Sequence, residues 1–308
     1  MIISAIDIGT NSVRYMSADA SKSPPRVIEQ DGSITRLGKN LKTAGSISPR
    51  AAAKTFKVIQ KFVRRSRKTG AKHTVIAATS ALRDAKNSDK FLQKIQNSFK
   101  IPAVIVSGEE EARTAFLGIT NSLRLKKDSL LIDIGGGSTE LIFTKGKKSD
   151  IISLNLGAVH LAEKYLYSDP PFYSEYKRMD NHIKKTLQRS IPSRLRKQHY
   201  SLMVGSGGTA TTLAAVKLML EKYDHERIHG LKMTGKTVDN ILTCLQFSKL
   251  KDRKKIAGLK TERADIFPAG LYILINLMEL FRFEMITVSD LGFLYGLIIK
   301  TRNTLNKN

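Results

Sequence analysis

The stretch Ile6-Asp7-Ile8-Gly9-Thr10-Asn11-Ser12 decides how the chain is read. It closes an apolar run, Ile2-Ile3-Ser4-Ala5-Ile6, that carries an aspartate where a buried strand would take another aliphatic side chain. A glycine turn follows, and a second run over 13–17 completes a strand, tight turn and strand. The pattern returns 126 residues later, when Leu130-Leu131-Ile132-Asp133-Ile134 leads into Gly135-Gly136-Gly137-Ser138 and then Thr139-Glu140-Leu141-Ile142-Phe143. Aligned without gaps, Ile6-Asp7-Ile8-Gly9 lies over Ile132-Asp133-Ile134-Gly135, and Ser12 lies over Ser138. A repeat of this size predicts two related domains facing each other. Each aspartate is costly in its strand unless it is paired, hydrogen-bonded or on a metal.

Working outward, Ser48-Pro49 opens a basic amphipathic helix with Phe56, Ile59, Phe62 and Val63 on its apolar side. Residues 73–78 read as a strand, and Ser80 is placed to cap the helix after it. Another strand over 102–106 ends at Ser107-Gly108. This alternation predicts an α/β architecture. The polar segment 122–128 is the expected boundary, giving domains 1–122 and 123–308. The second half adds helices at 155–168 and 173–190, a strand at 201–204, and apolar helices at 264–282 and 292–304. The last of these is free to pack back on the first domain.

A chain of 308 residues suits two domains rather than one core. With 41% hydrophobic and 26% charged residues it has the composition of a globular protein. Cys244 is the single cysteine, so no internal disulfide can form. The start lacks a basic n-region, and the apolar stretch 270–281 carries Asn276 and Glu279 and is too short to span a bilayer. A cytoplasmic protein with no membrane partner is expected. Its net charge is +25, from 52 Lys+Arg against 27 Asp+Glu. Residues 51–72 hold Lys54, Lys57, Lys61, Arg64, Arg65, Arg67, Lys68 and Lys72 and no acid. Such a field attracts polyanions.

Two glycine turns after buried strands suit phosphate, because their N–H groups can converge on an anion and Thr10, Ser12, Ser138 and Thr139 add hydroxyls. A third loop, Gly205-Ser206-Gly207-Gly208-Thr209, lies between a strand and a helix N-terminus. In Ser107-Gly108-Glu109-Glu110-Glu111, a capping box accounts for Glu110, and Glu109 can face the helix dipole. Glu111 is left over, one turn before Ala115 and two before Gly118, and is the candidate general base for hydrolysis. Residues 230–237 satisfy G-x-x-x-x-G-K-[ST], but no buried strand precedes Gly230, and Thr234 reads as a helix cap. The six histidines show no metal spacing.

At these residues the chain resembles the exopolyphosphatase and guanosine pentaphosphate phosphohydrolase family of the actin-like and sugar-kinase superfamily. The resemblance is carried by residues 6–14, 78–87, 107–113, 132–141, 205–214 and 263–265. It implies two ribonuclease-H-like (actin-like ATPase) domains flanking a central cleft, and release of terminal orthophosphate. Inorganic polyphosphate is the expected substrate, with guanosine pentaphosphate as the alternative and a non-catalytic nucleotide or alarmone sensor as a third reading. Nucleic acid is not the expected partner, and the state as monomer or homodimer stays open. By match to the family's motifs, Glu111 activates water, and Asp7, Asp133 and Glu140 hold Mg²⁺ or Mn²⁺. Phosphate falls to Gly9, Thr10, Asn11, Ser12, Arg14 and Arg83, then to Gly135, Gly136, Gly137 and Ser138, and to Gly207, Gly208 and Thr209. One departure is Gly292-Phe293-Leu294-Tyr295-Gly296, where Leu294 stands in place of the family's usual arginine.

Overall fold

The computed structural model describes residues 1–123, 125, 128–146 and 148–306, so part of the expected boundary segment, at 124, 126 and 127, lies outside it. Its strands are β1 (Ile2–Ile8), β2 (Ser12–Asp19), β3 (Arg26–Ile34), β4 (His73–Ala78), β5 (Ala103–Ile105), β6 (Ser129–Ile134), β7 (Thr139–Lys145), β8 (Lys148–Leu154), β9 (Leu202–Ser206), β10 (Lys232–Thr234) and β11 (Met285–Val288). The helices that matter here are α1 (Pro49–Lys68), α2 (Ser80–Asp84), α3 (Ser88–Phe99), α4 (Gly108–Ser122), α5 (Ala158–Tyr165), α6 (Tyr173–Ser190), α7 (Gly207–Lys217), α8 (Gly235–Phe247), α9 (Phe267–Phe281) and α10 (Phe293–Leu305). By their contacts they form two compact units, Met1–Ser122 together with Leu291–Asn308, and Leu123–Asp290.

In the first unit the sheet runs β3-β2-β1-β4-β5. The β1–β2 and β2–β3 pairs are antiparallel, and the β1–β4 and β4–β5 pairs are parallel. In the second the order is β8-β7-β6-β9-β11-β10. Its first five strands repeat the same parallel and antiparallel steps, and β10 adds an antiparallel edge. Two α/β units, each on a mixed sheet in this order, make the ribonuclease-H-like pair of an actin-like fold.

β1 is apolar on both faces because both faces are covered. Ile6 and Ile8 join a cluster with Ile59, Phe62 and Val63 of α1 and Phe91 and Ile95 of α3. Ile3 and Ala5 join Ala115 of α4 and Phe293, Leu297 and Ile298 of α10. Side chains alternate along a strand, so Asp7 shares the face of Ile3 and Ala5. Helix α1 starts where its chemistry says: Pro49 occupies its first turn, and Ser48 Oγ accepts from the Ala51 N–H at 3.2 Å. Ser80 is different. It is the first residue of α2, Thr79 precedes it, and no side chain caps that helix.

Helices α4 and α10 touch backbone to backbone. A Cβ on Gly118 would overlap the Gly292 carbonyl, and one on Gly296 would overlap the Thr114 carbonyl. The small-residue face of α4 is thus filled by α10 of the same unit. Leu294 is buried in that apolar cluster, where an ion pair would have no water. Among the described residues no helix is long and apolar enough to cross a membrane. The G-x-x-x-x-G-K-[ST] stretch follows the short helix His225–Ile228, and Thr234 Oγ1 accepts from the Thr237 N–H at 3.2 Å to cap α8.

Candidate active site

In the first unit the Gly9 N–H donates to the Ser12 carbonyl at 3.0 Å and closes the turn between β1 and β2. The carbonyls of the tip are already engaged, Thr10 by the Gly38 N–H and Asn11 by those of Thr35 and Arg36. Thr10 and Asn11 are buried, yet Thr10 Oγ1 and Asn11 Nδ2 have no hydrogen-bond partner among the described residues. Ser12, half-buried, opens β2. Asp7 faces Arg14 across the two strands, and its Oδ2 accepts from Arg14 Nε at 2.8 Å and Nη2 at 2.7 Å.

Arg83 closes α2 and holds two groups with one nitrogen: Nη1 donates to the Val106 carbonyl at 2.9 Å and to Glu111 Oε2 at 2.7 Å. Ser107 caps α4, its Oγ accepting from the Glu110 N–H at 3.1 Å. Only half of the expected capping box forms, because the Glu110 carboxylate pairs with Lys300 on α10. Glu109 pairs with Arg113 one turn on. Glu111 is therefore the acid of the three that meets Arg83, with 15% of its side chain exposed.

In the second unit the same turn recurs. The Gly135 N–H donates to the Ser138 carbonyl at 2.9 Å. A Cβ added to Gly9 would lie 3.1 Å from the Ser12 carbonyl oxygen, and one added to Gly135 would lie 3.1 Å from that of Ser138. The Gly135 and Gly136 carbonyls accept from Ala158 and Val159 at the start of α5. Gly137 and Ser138 are buried beside them. Asp133 Oδ2 accepts from Ser206 Oγ at 2.8 Å. Glu140, 1% exposed, accepts from Ser153 Oγ at 3.0 Å.

The third loop closes around Asp133. Gly207 has φ +78°, and any Cβ there would overlap Asp133 Oδ1. Gly208 lies under the guanidinium of Arg263, which a Cβ there would push aside. Thr209 is buried, its hydroxyl reaching the Ile134 carbonyl at 3.4 Å. The structure thus brings Asp133, Glu140, Gly207, Gly208 and Thr209 together with Arg263. The sequence marked Arg263 only as part of segment 263–265, one of those that carry the family resemblance, with nothing local to name its partner loop.

The register shows what the repeat changed. Asp7 is opposite Arg14, while the equivalent Asp133 is opposite Glu140. The first pair neutralises itself. The second sets two acids against each other, which is unfavourable across neighbouring strands without a cation. Among the described residues no three of His, Cys, Asp and Glu converge on one point. A two-carboxylate set fits Mg²⁺, which takes one or two carboxylates and completes its shell with water and phosphate.

The profile of the Ppx/GppA phosphatase family matches residues 16–304. The chain belongs to this family. It is a phosphatase-family hydrolase by that match. Against the bifunctional 3-dehydroquinate synthase/phosphatase of Fusobacterium nucleatum it is 34% identical over 311 residues, covering 96% of this chain and 46% of that protein. The chain thus spans about half the length of that relative. It is 28% identical over 314 residues to Exopolyphosphatase 2 of Mycobacterium tuberculosis, covering 96% of this chain and 97% of that one. The crystal structure of the Aquifex aeolicus Ppx/GppA family member matches with a TM-score of 0.82 at 30% identity, covering 100% of this chain and 99% of that one.

Proposed function

We propose that the chain releases terminal orthophosphate from inorganic polyphosphate by hydrolysis. The observation that carries this reading is the pair of buried polar atoms at the first turn, Thr10 Oγ1 and Asn11 Nδ2, without protein partners. A buried donor left unmade costs about 1–3 kcal/mol, and a phosphate oxygen is an acceptor that removes this cost. The near full-length similarity to an exopolyphosphatase supports the polymer as substrate.

Each unit has its task. In the first, Glu111 accepts the proton of the attacking water, and the Arg83 guanidinium at 2.7 Å holds the carboxylate in one orientation. The water oxygen bonds to the terminal phosphorus while the bridging P–O bond breaks, and its electron pair leaves on the shortened polymer. Arg14 and Arg83, each also held by a carboxylate, direct guanidinium N–H groups at the oxygens of the phosphoryl group. In the second unit the N–H groups of Gly136, Gly137, Gly207 and Gly208 hold phosphate oxygens, while that of Gly135 closes the turn. Asp133 and Glu140 would hold Mg²⁺, which supplies charge neutralisation between carboxylates and phosphates.

Orthophosphate release from long-chain polyphosphate and from guanosine pentaphosphate, measured with Mg²⁺ at equal concentrations of terminal phosphate, tests the reading. A higher kcat/KM on polyphosphate supports it. Preference for the guanosine nucleotide moves the substrate to that molecule, and no release from either overturns the hydrolytic reading.

A further inference from the structure

Helix α1 carries a stripe that the hydrolytic site does not use. Arg50, Lys54, Lys57, Lys61, Arg64 and Lys68 recur at intervals of four and three residues, and all six are exposed. At ~100° per residue they fall within ~80° of arc, and at ~1.5 Å per residue they cover ~27 Å. Thr55, Ile59, Phe62, Val63 and Ser66 fill the opposite, buried face. No acid interrupts the helix. Lys61 pairs with Asp31 at 3.1 Å, and Arg65, on the flank of the stripe, pairs with Glu29 at 2.7 Å and with Asp31. The other five cations of the stripe have no carboxylate partner among the described residues. General lysine decoration gives a different pattern. On α6, the exposed Lys177, Arg178, Lys184, Lys185 and Arg189 are interleaved with Asn181 and Gln188 and with the acids Glu175 and Asp180, and Lys184 is tied to Asp180 at 2.8 Å.

The topology gives the stripe a direction. Two antiparallel steps make β3 parallel to β1, so β3 ends at the sheet edge that carries the Gly9 turn. Helix α1 then runs back along the sheet to feed β4, itself parallel to β1. Arg50 therefore stands at the end of the unit that holds Gly9–Ser12, and Lys68 at the far end. The start is pinned there. Asn87 exchanges two hydrogen bonds of 2.9 Å with the Ile47 backbone, and the Lys86 N–H donates to the Gly45 carbonyl at 3.0 Å.

We propose that this face of α1 is an exosite for the trailing part of a long inorganic polyphosphate whose terminus is held at the Gly9 turn, an inference that rests on the hydrolytic reading above. A linear polymer with charge at every unit can follow a line of cations and release its counterions along the whole length. Nucleic acid is the other polyanion, and the stripe lacks what its single strands use. No aromatic ring is exposed on it, since Phe56 stacks on Phe99 at 5.1 Å under Lys94.

The test is a variant carrying R50Q, K54Q, K57Q, R64Q and K68Q, which keeps the Lys61 and Arg65 pairs and uses a good helix former. Its Kd for end-labelled long-chain polyphosphate should rise at least ~10-fold, and the slope of log K against log salt should fall by up to ~3.5, at ~0.7 per lost contact. Turnover of tripolyphosphate should stay at the wild-type value. A charge-keeping variant with R50K, K54R, K57R, R64K and K68R should bind like wild type. If the five-fold variant does not fold, K54Q/K57Q alone is read, with an expected rise of ~3-fold on the same counterion argument. Equal Kd and equal salt slopes overturn the exosite, as does parallel loss of tripolyphosphate turnover. Tighter stripe-dependent binding of single-stranded DNA of equal charge also overturns it, in favour of nucleic acid. A wild-type protein that binds the long polymer through the stripe yet releases no phosphate supports the exosite and overturns the hydrolytic reading alone.

Discussion

Glu111 sits in a run of three glutamates whose side chains go three ways. Glu109 turns to Arg113, Glu110 to Lys300 and Glu111 to Arg83. Capping rules set the first two aside, though Glu110 meets Lys300 instead of completing the box, and no local rule could name Arg83, 28 residues earlier, as the partner of Glu111. Glu111→Gln keeps an oxygen for Arg83 and removes the proton acceptor, so kcat should fall by ~10²–10⁴ with little change in KM. Steady-state kinetics check this, and turnover above half of wild type removes Glu111 from the chemistry. Asp133 makes a sharper case, because the register sets it against Glu140. Chelator should stop turnover, and added Mg²⁺ should restore it. In chelator, Asp133→Asn should melt at or above the wild-type temperature, because one of two opposed charges is gone while Ser206 keeps an acceptor. The rise in Tm on adding Mg²⁺ should shrink in the same variant. An undiminished Mg²⁺ shift measured by thermal denaturation would take Asp133 out of the metal set.

Among the elements, the α4–α10 contact depends on the absence of two side chains. Gly296→Ala drives a methyl into the Thr114 carbonyl, which belongs to backbone and cannot rotate away. Overpacking of this kind costs about 1–3 kcal/mol, and urea denaturation should show it as a lowered midpoint with an unchanged m-value. A second element-level device lies at the end of β11. His225 Nδ1 is 3.1 Å from Asp290 Oδ2, and this hydrogen bond raises the imidazole above its ordinary 6.5 against the opposing effect of burial. The nearby Asp224 and Glu226 carboxylates act in the same direction. A raised folded-state value stabilises the fold fully below 6.5 and loses that contribution as pH climbs through the folded value. The Tm of wild type minus that of His225→Gln should accordingly be larger in acid than in alkali. A difference independent of pH would mean that the pair does not titrate with folding. Neither β11 nor β10 was legible from the sequence. Both are short, with four and three residues, and are made strands by pairing with β9 and with each other. β3 was missed for a related reason: as an edge strand it is mostly half-exposed and carries Glu29, Gln30 and Asp31, which blur its alternation.

For the whole molecule, the chain leaves its first unit at Ser122 and returns to it at Leu291. Phe293, Leu297, Ile298 and Ile299 then bury against the face of β1 that holds Ile3 and Ala5. Each such side chain contributes about 1.5–3 kcal/mol, so the four together rival the ~5–15 kcal/mol of a typical domain. Deleting 291–308 should leave the first unit without cooperative thermal unfolding, whereas a truncated protein that melts like wild type would show that α10 is dispensable. Read alone, the sequence determined the repeat, the α/β class and the three glycine turns, and it singled out Glu111 as the acid left over at a capped helix, because each is encoded in short windows by strand periodicity or turn chemistry. Only the tertiary structure decided that Asp7 is neutralised by Arg14 while Asp133 faces Glu140, since that depends on strand register. It also decided that Arg263 covers Gly208, that α10 fills the small-residue face of α4, and that the cations of α1 form a line starting at the Gly9 end of its sheet. These are contacts between residues far apart in the chain, and the energies that select them come from packing and charge pairing that no local window contains.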